Sequence, residues 1–439
     1  MTHPTSNMQG FRPARGTKSA RRLRAALAGM ACLASLSART AWADEPNPWY
    51  VGASQVLTQQ SNLFRIGRNV AGTEQALPAG VSKSDLISTT ALVGGIDQPI
   101  GRQRVYGSIN LADNRYRHNS QLDTPSHNLN LALDWSTIER LSGSLSYADN
   151  KQQAQFNTIN STNPVEARRN IIESRQAGAV ARLGLVTKLT AEAQWGHERL
   201  DYSAPEYAFR EYRQDRASLG LTYRPSGLLR LGAALRQTRG EYPRFSASGP
   251  DRFTRDDLDL SGNWEPSPVS QISTRLSMTR TRYEQDSLRN SSGPTGYVSW
   301  DWHPTVRLRL RTDLARDFGQ SGYATDFEAL GIGVVDYSRT RTIWRLRADQ
   351  ELSAKITLNA SLSQVHRALV NTAATSTSTL GVSRGSDATV LASLGIRWAP
   401  TRNSSLGCDL GHDQRRTSSV LSTQMSATVL ACSGQLTLQ

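Results

Sequence analysis

From residue 44 onward the chain alternates apolar and polar positions, the two-residue period of a β-strand, and no stretch of useful length carries the 3.6-residue period of a helix. Val306-Arg-Leu-Arg-Leu-Arg311 is the clearest case: Val306, Leu308 and Leu310 fall on one face, Arg307, Arg309 and Arg311 on the other. Trp344, Leu346 and Ala348 oppose Arg345, Arg347 and Asp349. Leu229, Leu231, Ala233 and Leu235 oppose Arg230, Gly232, Ala234 and Arg236, and Leu258, Leu260 and Trp264 oppose Asp257, Asp259 and Asn263. The pattern predicts eighteen strands, sixteen if the weakest are discounted, over 48–58, 84–97, 102–116, 127–136, 140–152, 171–186, 188–202, 210–224, 228–241, 253–265, 270–285, 293–303, 306–319, 338–352, 355–370, 386–399, 404–415 and 421–438.

The connections alternate in length. Tight ones such as Pro99-Ile-Gly101, Pro225-Ser-Gly227, Pro266-Ser-Pro268 and Pro304-Thr305 follow even-numbered strands. Longer ones rich in Ser, Asn, Thr and Gly, such as 59–83, 153–170, 320–337 and 371–385, follow odd-numbered strands. Long loops on one side and short turns on the other are the arrangement of an outer-membrane barrel. Lipid supplies the reason for closure: an unpaired backbone group in hydrocarbon costs several kcal/mol, so the first and last strands must pair. The expected fold is therefore all-β, an antiparallel transmembrane β-barrel, with both termini on the short-turn, periplasmic side of the outer membrane of a Gram-negative bacterium.

Aromatic residues mark the same boundary. Trp135, Tyr223, Trp264, Trp302 and Trp398 each sit just before a short turn, on the apolar phase, as the girdle at a water–lipid boundary requires.

Residues 1–43 stand apart. They hold Arg12, Arg15, Lys18, Arg21, Arg22, Arg24 and Arg39, no acid, an apolar run over 25–38, and Ala41-Trp-Ala43 at the end. This is the pattern of a cleaved secretory signal peptide, leaving 44–439 as the barrel. The formal net charge of +14 changes meaning accordingly, because half of it belongs to the leader. A mean hydropathy of −0.48 excludes membrane-spanning helices. It suits a wall with one face in lipid and the other in water. Export makes nucleic acid an unsuitable partner.

Candidate chemistry is sparse. The seven histidines, His3, His118, His127, His197, His303, His366 and His412, show no metal spacing, and no nucleophile motif surrounds a serine, so no catalytic residue, metal or cofactor is expected. His118 and Ser120 leave only a weak case for an outer-membrane enzyme acting on lipid or glycan. The better candidates are arginines on the lumen phase: Arg230, Arg236, Arg307, Arg309, Arg311, Arg345, Arg347 and Arg397. They either favour an anionic solute through forked donors or brace the wall by pairing with Asp257, Asp259, Asp313 and Asp349. Cys408 and Cys432 flank the last loop symmetrically on the apolar phase, where a cross-strand disulfide is geometrically accessible. The chain ends Gln435-Leu-Thr-Leu-Gln439, a polar last residue where such barrels commonly end in an aromatic one.

Asn47-Pro-Trp-Tyr-Val-Gly-Ala-Ser54, Ser61-Asn-Leu-Phe-Arg65, Asp134-Trp-Ser136 and the late Cys408 resemble the EpsL-like barrels of exopolysaccharide operons, which are classed with β-barrel porins. The resemblance implies a role in exopolysaccharide biosynthesis or export, with an anionic exopolysaccharide and periplasmic export proteins as partners. It transfers no catalytic residue. The alternative function is a general diffusion porin.

Overall fold

The computed structural model describes residues 47–69, 71–156, 167–186, 188–246, 249–285, 289–318, 338–373, 381–419 and 421–438. Eighteen strands form its wall: β1 Trp49–Gln60, β2 Asp85–Ile100, β3 Gln103–Tyr116, β4 Thr124–Ser136, β5 Leu141–Gln153, β6 Ile171–Val186, β7 Leu189–Tyr202, β8 Tyr212–Tyr223 and β9 Leu229–Ser246, then β10 Gly249–Ser267, β11 Ser270–Tyr283, β12 Ser291–Thr305, β13 Leu308–Asp317, β14 Ser338–Ser353, β15 Ile356–Ala373, β16 Gly381–Thr401, β17 Ser404–Thr417 and β18 Gln424–Leu438. Every strand pairs antiparallel with its sequence neighbours. The ring closes where β1 meets β18, from Val51↔Leu438 to Gln60↔Val429. The closed antiparallel barrel expected from the alternating pattern is thus the observed fold.

The residue distribution is inverted relative to a water-soluble protein. Leu219, Leu235 and Met278 are 70%, 67% and 62% exposed, whereas Asp257, Arg255 and Thr279 are buried at 3%, 1% and 3%. Hydrocarbon outside and a polar interior produce this inversion, because only alternate residues face lipid.

Three of the short turns share a device that the sequence shows as aromatic-x-Pro-Ser/Thr. The register shifts between Trp264 and Ser267, between Trp302 and Thr305, and between Trp398 and Thr401. Each proline sits inside this irregularity, where the missing N–H breaks no ladder bond. The residue after each tryptophan donates its backbone N–H to the preceding turn: Glu265 to Leu228 O, His303 to Val269 O and Ala399 to Lys355 O, each at 2.8 Å. One sequence motif therefore ends a strand and ties adjacent turns together.

At the opposite end, one connection departs from expectation. Residues 242–246 and 249–252, whose Pro243 and Gly249-Pro250 mark a loop by composition, extend the strands instead. β9 runs to Ser246 and β10 begins at Gly249, with a register shift between Tyr242 and Ser246 that accommodates the proline. Burial drives the extension, since Tyr242 and Phe253 pack with Leu200 and Tyr212 in an aromatic cluster.

The β1–β2 connection is also ordered by burial. Leu63, Phe64 and Ile66 cluster with Leu122 and Phe156 from the next two long connections. Asn62 Nδ2 donates to Ile66 O and to Ser426 O of β18, at 2.9 and 3.0 Å, and Arg65 Nη1 lies 2.7 Å from Asp413 of β17. Gly67 and Arg68 pair with Met425 and Gln424 of β18. The connection is thereby latched across the closing seam. Farther along it, the Lys83 ammonium donates to Glu74 at 2.6 Å and holds that carboxyl below its ordinary pKa.

Candidate functional site: the lumen wall

Strand pairing sorts the inward side chains into rows, and the rows divide the wall into two unlike halves. Over β3–β8 the rows are mainly neutral. Asn110, Asn128, Asn150 and Ser174 form one; Ser108, Asn130, Ala148 and Gln176 form another. A cavity of about 630 Å³ adjoins this half, lined by Tyr106, Asn130, Ser146, Gln176, Gln194 and Gln214 among others. Charges here are few and chiefly paired, as Arg182 with Glu192 at 2.6 Å.

Over β9–β17 the lining is arginine and aspartate. One row runs Asp301, Arg311, Arg347, Ser361; a second runs Asp317, Arg341, Arg367, Asp387. Each sets two guanidinium groups directly opposite one another on adjacent strands. Like charges so placed oppose pairing. Neighbouring carboxylates offset this in part: Arg367 Nε donates to Asp387 Oδ1 at the end of its row at 2.7 Å, and Arg311 Nε to Asp313 Oδ1, two residues along the same strand, at 3.1 Å. Next to them Arg345 is 5% exposed and opposite Asp313, with its Nη1 lacking a hydrogen-bond partner among the described residues. Higher on β9–β13 the charges are paired with one another. Arg255 donates to Asp257 (3.0 Å), Asp317 (3.0 Å) and Thr279 (3.4 Å), and Arg236 to Asp259 (3.0 Å).

The arginines singled out from the sequence divide accordingly. Arg236 belongs to the knitted network, and Arg309 is bound to Asp301 near the short-turn rim. Arg311, Arg345 and Arg347 meet on facing positions of β13 and β14. Arg230 and Arg397 lie on the same inward phase, opposite Asn263 and Gly407. Arg307 lies in the turn between β12 and β13, outside the wall, because the strand starts at Leu308 and not at Val306. Arg255, Arg341 and Arg367 were missed. Arg341 and Arg367 obey the same alternation, and Arg255, followed by Asp256 and Asp257, was obscured by a charged run.

On the outer face, Tyr223, Trp264, Trp302 and Trp398 are 47%, 49%, 36% and 47% exposed beside the short turns, and Trp135 lies over Gly143. Trp300 stacks on Trp302 with centroids 5.4 Å apart, an addition the turn motif alone did not indicate. Cys408 and Cys432 are direct partners across β17–β18 and form a disulfide, Cα to Cα 4.1 Å, on the same outward face. His118 Nδ1 is 3.4 Å from Asp85, and Ser120 begins a 3₁₀ turn over Ser120–Leu122; no hydrogen bond joins them among the described residues. No group of three or more His, Cys, Asp or Glu suited to a metal occurs among the described residues.

A closed eighteen-strand wall with a lipid-facing apolar surface and a polar lining defines an outer-membrane β-barrel of the porin type. Among solved structures the chain is similar to the outer membrane protein opdK from Pseudomonas aeruginosa, with 13% identity over 88% of this chain and 99% of that one and a TM-score of 0.45. It is similar also to OccK2 (OpdF) of the same organism, with 13% identity over 88% and 98% and a TM-score of 0.46. A third, OccK11 (OpdR), has 13% identity over 89% and 96% and a TM-score of 0.44. No protein-family model matches the chain, and no curated protein does.

Two expectations are corrected here. Membership of the EpsL-like family and a role in exopolysaccharide export do not stand: no family model matches the chain, and the solved structures to which it is similar are of the Opd and Occ series. The residues behind the resemblance have barrel-building work. Trp49–Ser54 lie in β1, and Asn62, Phe64 and Arg65 latch the first connection to the seam.

Proposed function

We propose that the chain is a diffusion porin, not an enzyme, that passes small polar solutes and prefers anions. The carrying observation is the pair of rows in which Arg311 faces Arg347 and Arg341 faces Arg367 on the lumen side. A purely bracing wall gains nothing from guanidinium beside guanidinium, whereas an anion between them relieves the repulsion and accepts forked donors. The neutral half offers hydrogen bonds without charge, so a solute meets a polarised cross-section. Both termini lie on the periplasmic side, and the tryptophan-rich rim marks that interface. The partner of the outer wall is membrane lipid.

The test is conductance of the refolded barrel in planar bilayers under a KCl gradient. A reversal potential on the chloride side is expected. Cation selectivity, or absence of conductance from barrels shown to be folded and inserted, overturns the reading.

A further inference from the structure

The outer face carries charge as well as leucine. Beyond the apolar band, on the same outward phase, β6–β8 bear a mixed belt whose members pair locally: Arg175 with Glu173, Arg199 with Asp201 and His197 with Asp215. Over β9–β13 the balance changes. On β11 the outward phase passes from Met278 to Arg280 and Arg282; on β13 from Leu314 to Arg316; on β9 from Leu235 through Gln237 to Arg239. All four arginines are exposed, and none has an ion pair among the described residues. Of the acids nearby, Asp256 stands opposite Arg280 but accepts from Gln237 at 2.9 Å, Glu241 is shared by Arg213 and Arg252, and Glu284 follows Arg282 where β11 has ended, so guanidinium groups outnumber the carboxylates open to them. Neighbouring strands are about 4.8 Å apart, so the patch spans roughly 20 Å of wall.

An apolar groove of about 520 Å³ opens on the same face. Its floor is made by small residues, Ala181, Ala191, Ala193 and Ala233, and its sides by Leu219 and Leu235. It also reaches Leu258, beside the patch. A lipid chain fits an alanine floor between leucines, and a phosphate fits clustered guanidinium groups. Here the two lie end to end on adjoining strands.

We propose that the outer wall over β6–β13 holds one phosphorylated, acylated glycolipid of the outer leaflet, its acyl chain in the alanine groove and its phosphates against Arg239, Arg280, Arg282 and Arg316. This rests on the porin reading, which places the long connections outside. A glycolipid with two phosphates on a disaccharide matches a patch of this breadth, whereas a single phospholipid headgroup reaches only part of it.

The test is native mass spectrometry of the purified full barrel in detergent. The probes are bisphosphorylated lipid A, the same lipid dephosphorylated, and phosphatidylglycerol. The wild type should retain bisphosphorylated lipid A at least about tenfold better than either comparator. The combined Arg239→Gln, Arg280→Gln, Arg282→Gln and Arg316→Gln variant should lose that preference, and Ala193→Phe with Ala233→Phe should weaken retention by filling the groove. Equal retention of phosphatidylglycerol or of dephosphorylated lipid A by the wild type overturns the proposal without needing any variant. Undiminished preference in a folded four-arginine variant also overturns it. Conductance of the same preparations separates the two readings: these arginines face away from the lumen, so a wild type that conducts normally but shows no preference for bisphosphorylated lipid A counts against the lipid site alone.

Discussion

Arg255 illustrates what a buried charge does in this wall. Its guanidinium is 1% exposed and bound to Asp257, Asp317 and Thr279, with Asp257 accepting also from Thr279 at 2.5 Å. Removing Arg255 takes a shared guanidinium from two buried carboxylates, of which Asp257 keeps Arg236 at 3.4 Å, a loss of about 3–5 kcal/mol. Arg255→Ala is therefore expected to lower the unfolding free energy of the detergent-solubilised barrel, measured by urea titration, by that amount, while the solvent-facing Arg402→Ala leaves it unchanged within error. The disulfide acts at the same scale. Cys408 and Cys432 are separated by 24 residues, and closing a loop of that length restricts the unfolded chain by about 3 kcal/mol. A barrel of residues 44–439, which lacks Cys32, should show no free thiol when unreduced and denatured, and reduction should lower its unfolding midpoint without changing conductance. Two titratable thiols would contradict the linkage.

At the scale of elements, alternation was enough to locate the wall strands because lipid on one side and water on the other impose a two-residue period that no other environment demands so uniformly. Trp264, Trp302 and Trp398 were legible as strand ends for the same reason, though not the register shift that each begins. What alternation could not show is burial created by distant segments. Tyr242–Ser246 reads as a turn because Pro243 is there, yet Tyr242 is held by Phe253 and Tyr212 from neighbouring strands. Asn62 reads as an ordinary loop residue, yet it bonds the backbone of Ser426 across the seam. Phase likewise picked out the inward arginines Arg309, Arg311, Arg345 and Arg347 in β13 and β14, whereas Arg280, Arg282 and Arg316 obeyed the outward phase unnoticed, because a charge on a lipid-facing position was not sought. A glycine gives the sharpest test of an element's packing. At Gly143 an added Cβ would meet Val180 O at 2.1 Å and the Trp135 ring at 2.5 Å. Backbone cannot yield as a flexible side chain can, so Gly143→Val should displace Trp135 and destabilise the β4–β6 rim by about 1–3 kcal/mol. The matching readout is a red shift and lower polarisation of tryptophan fluorescence. Gly227, whose Cβ would meet nothing within 4 Å, is the control, and Gly227→Ala should be silent.

The whole molecule is a ring whose lining is charged on one side and neutral on the other, and this asymmetry makes the selectivity divisible. If the facing guanidinium pairs set the ion preference, Arg311→Gln with Arg347→Gln should move the reversal potential toward cations by about 10 mV or more under a tenfold KCl gradient. Asn128→Ser with Asn130→Ser on the neutral half should leave it in place, because those side chains exchange hydrogen bonds without altering the field. Screening supplies an internal control that needs no substitution. The Debye length falls from about 10 Å at 0.1 M salt to about 3 Å at 1 M, so a preference arising from a field across the lumen fades over that range. One arising from direct bidentate capture, at contact distance, persists. Wild-type selectivity that survives at 1 M salt, together with its loss in the Arg311/Arg347 variant, would place the anion in contact with those two residues. Selectivity that fades with salt and is only partly reduced by the same variant would assign it to the charged half-wall acting collectively, with Arg341 and Arg367 carrying the remainder.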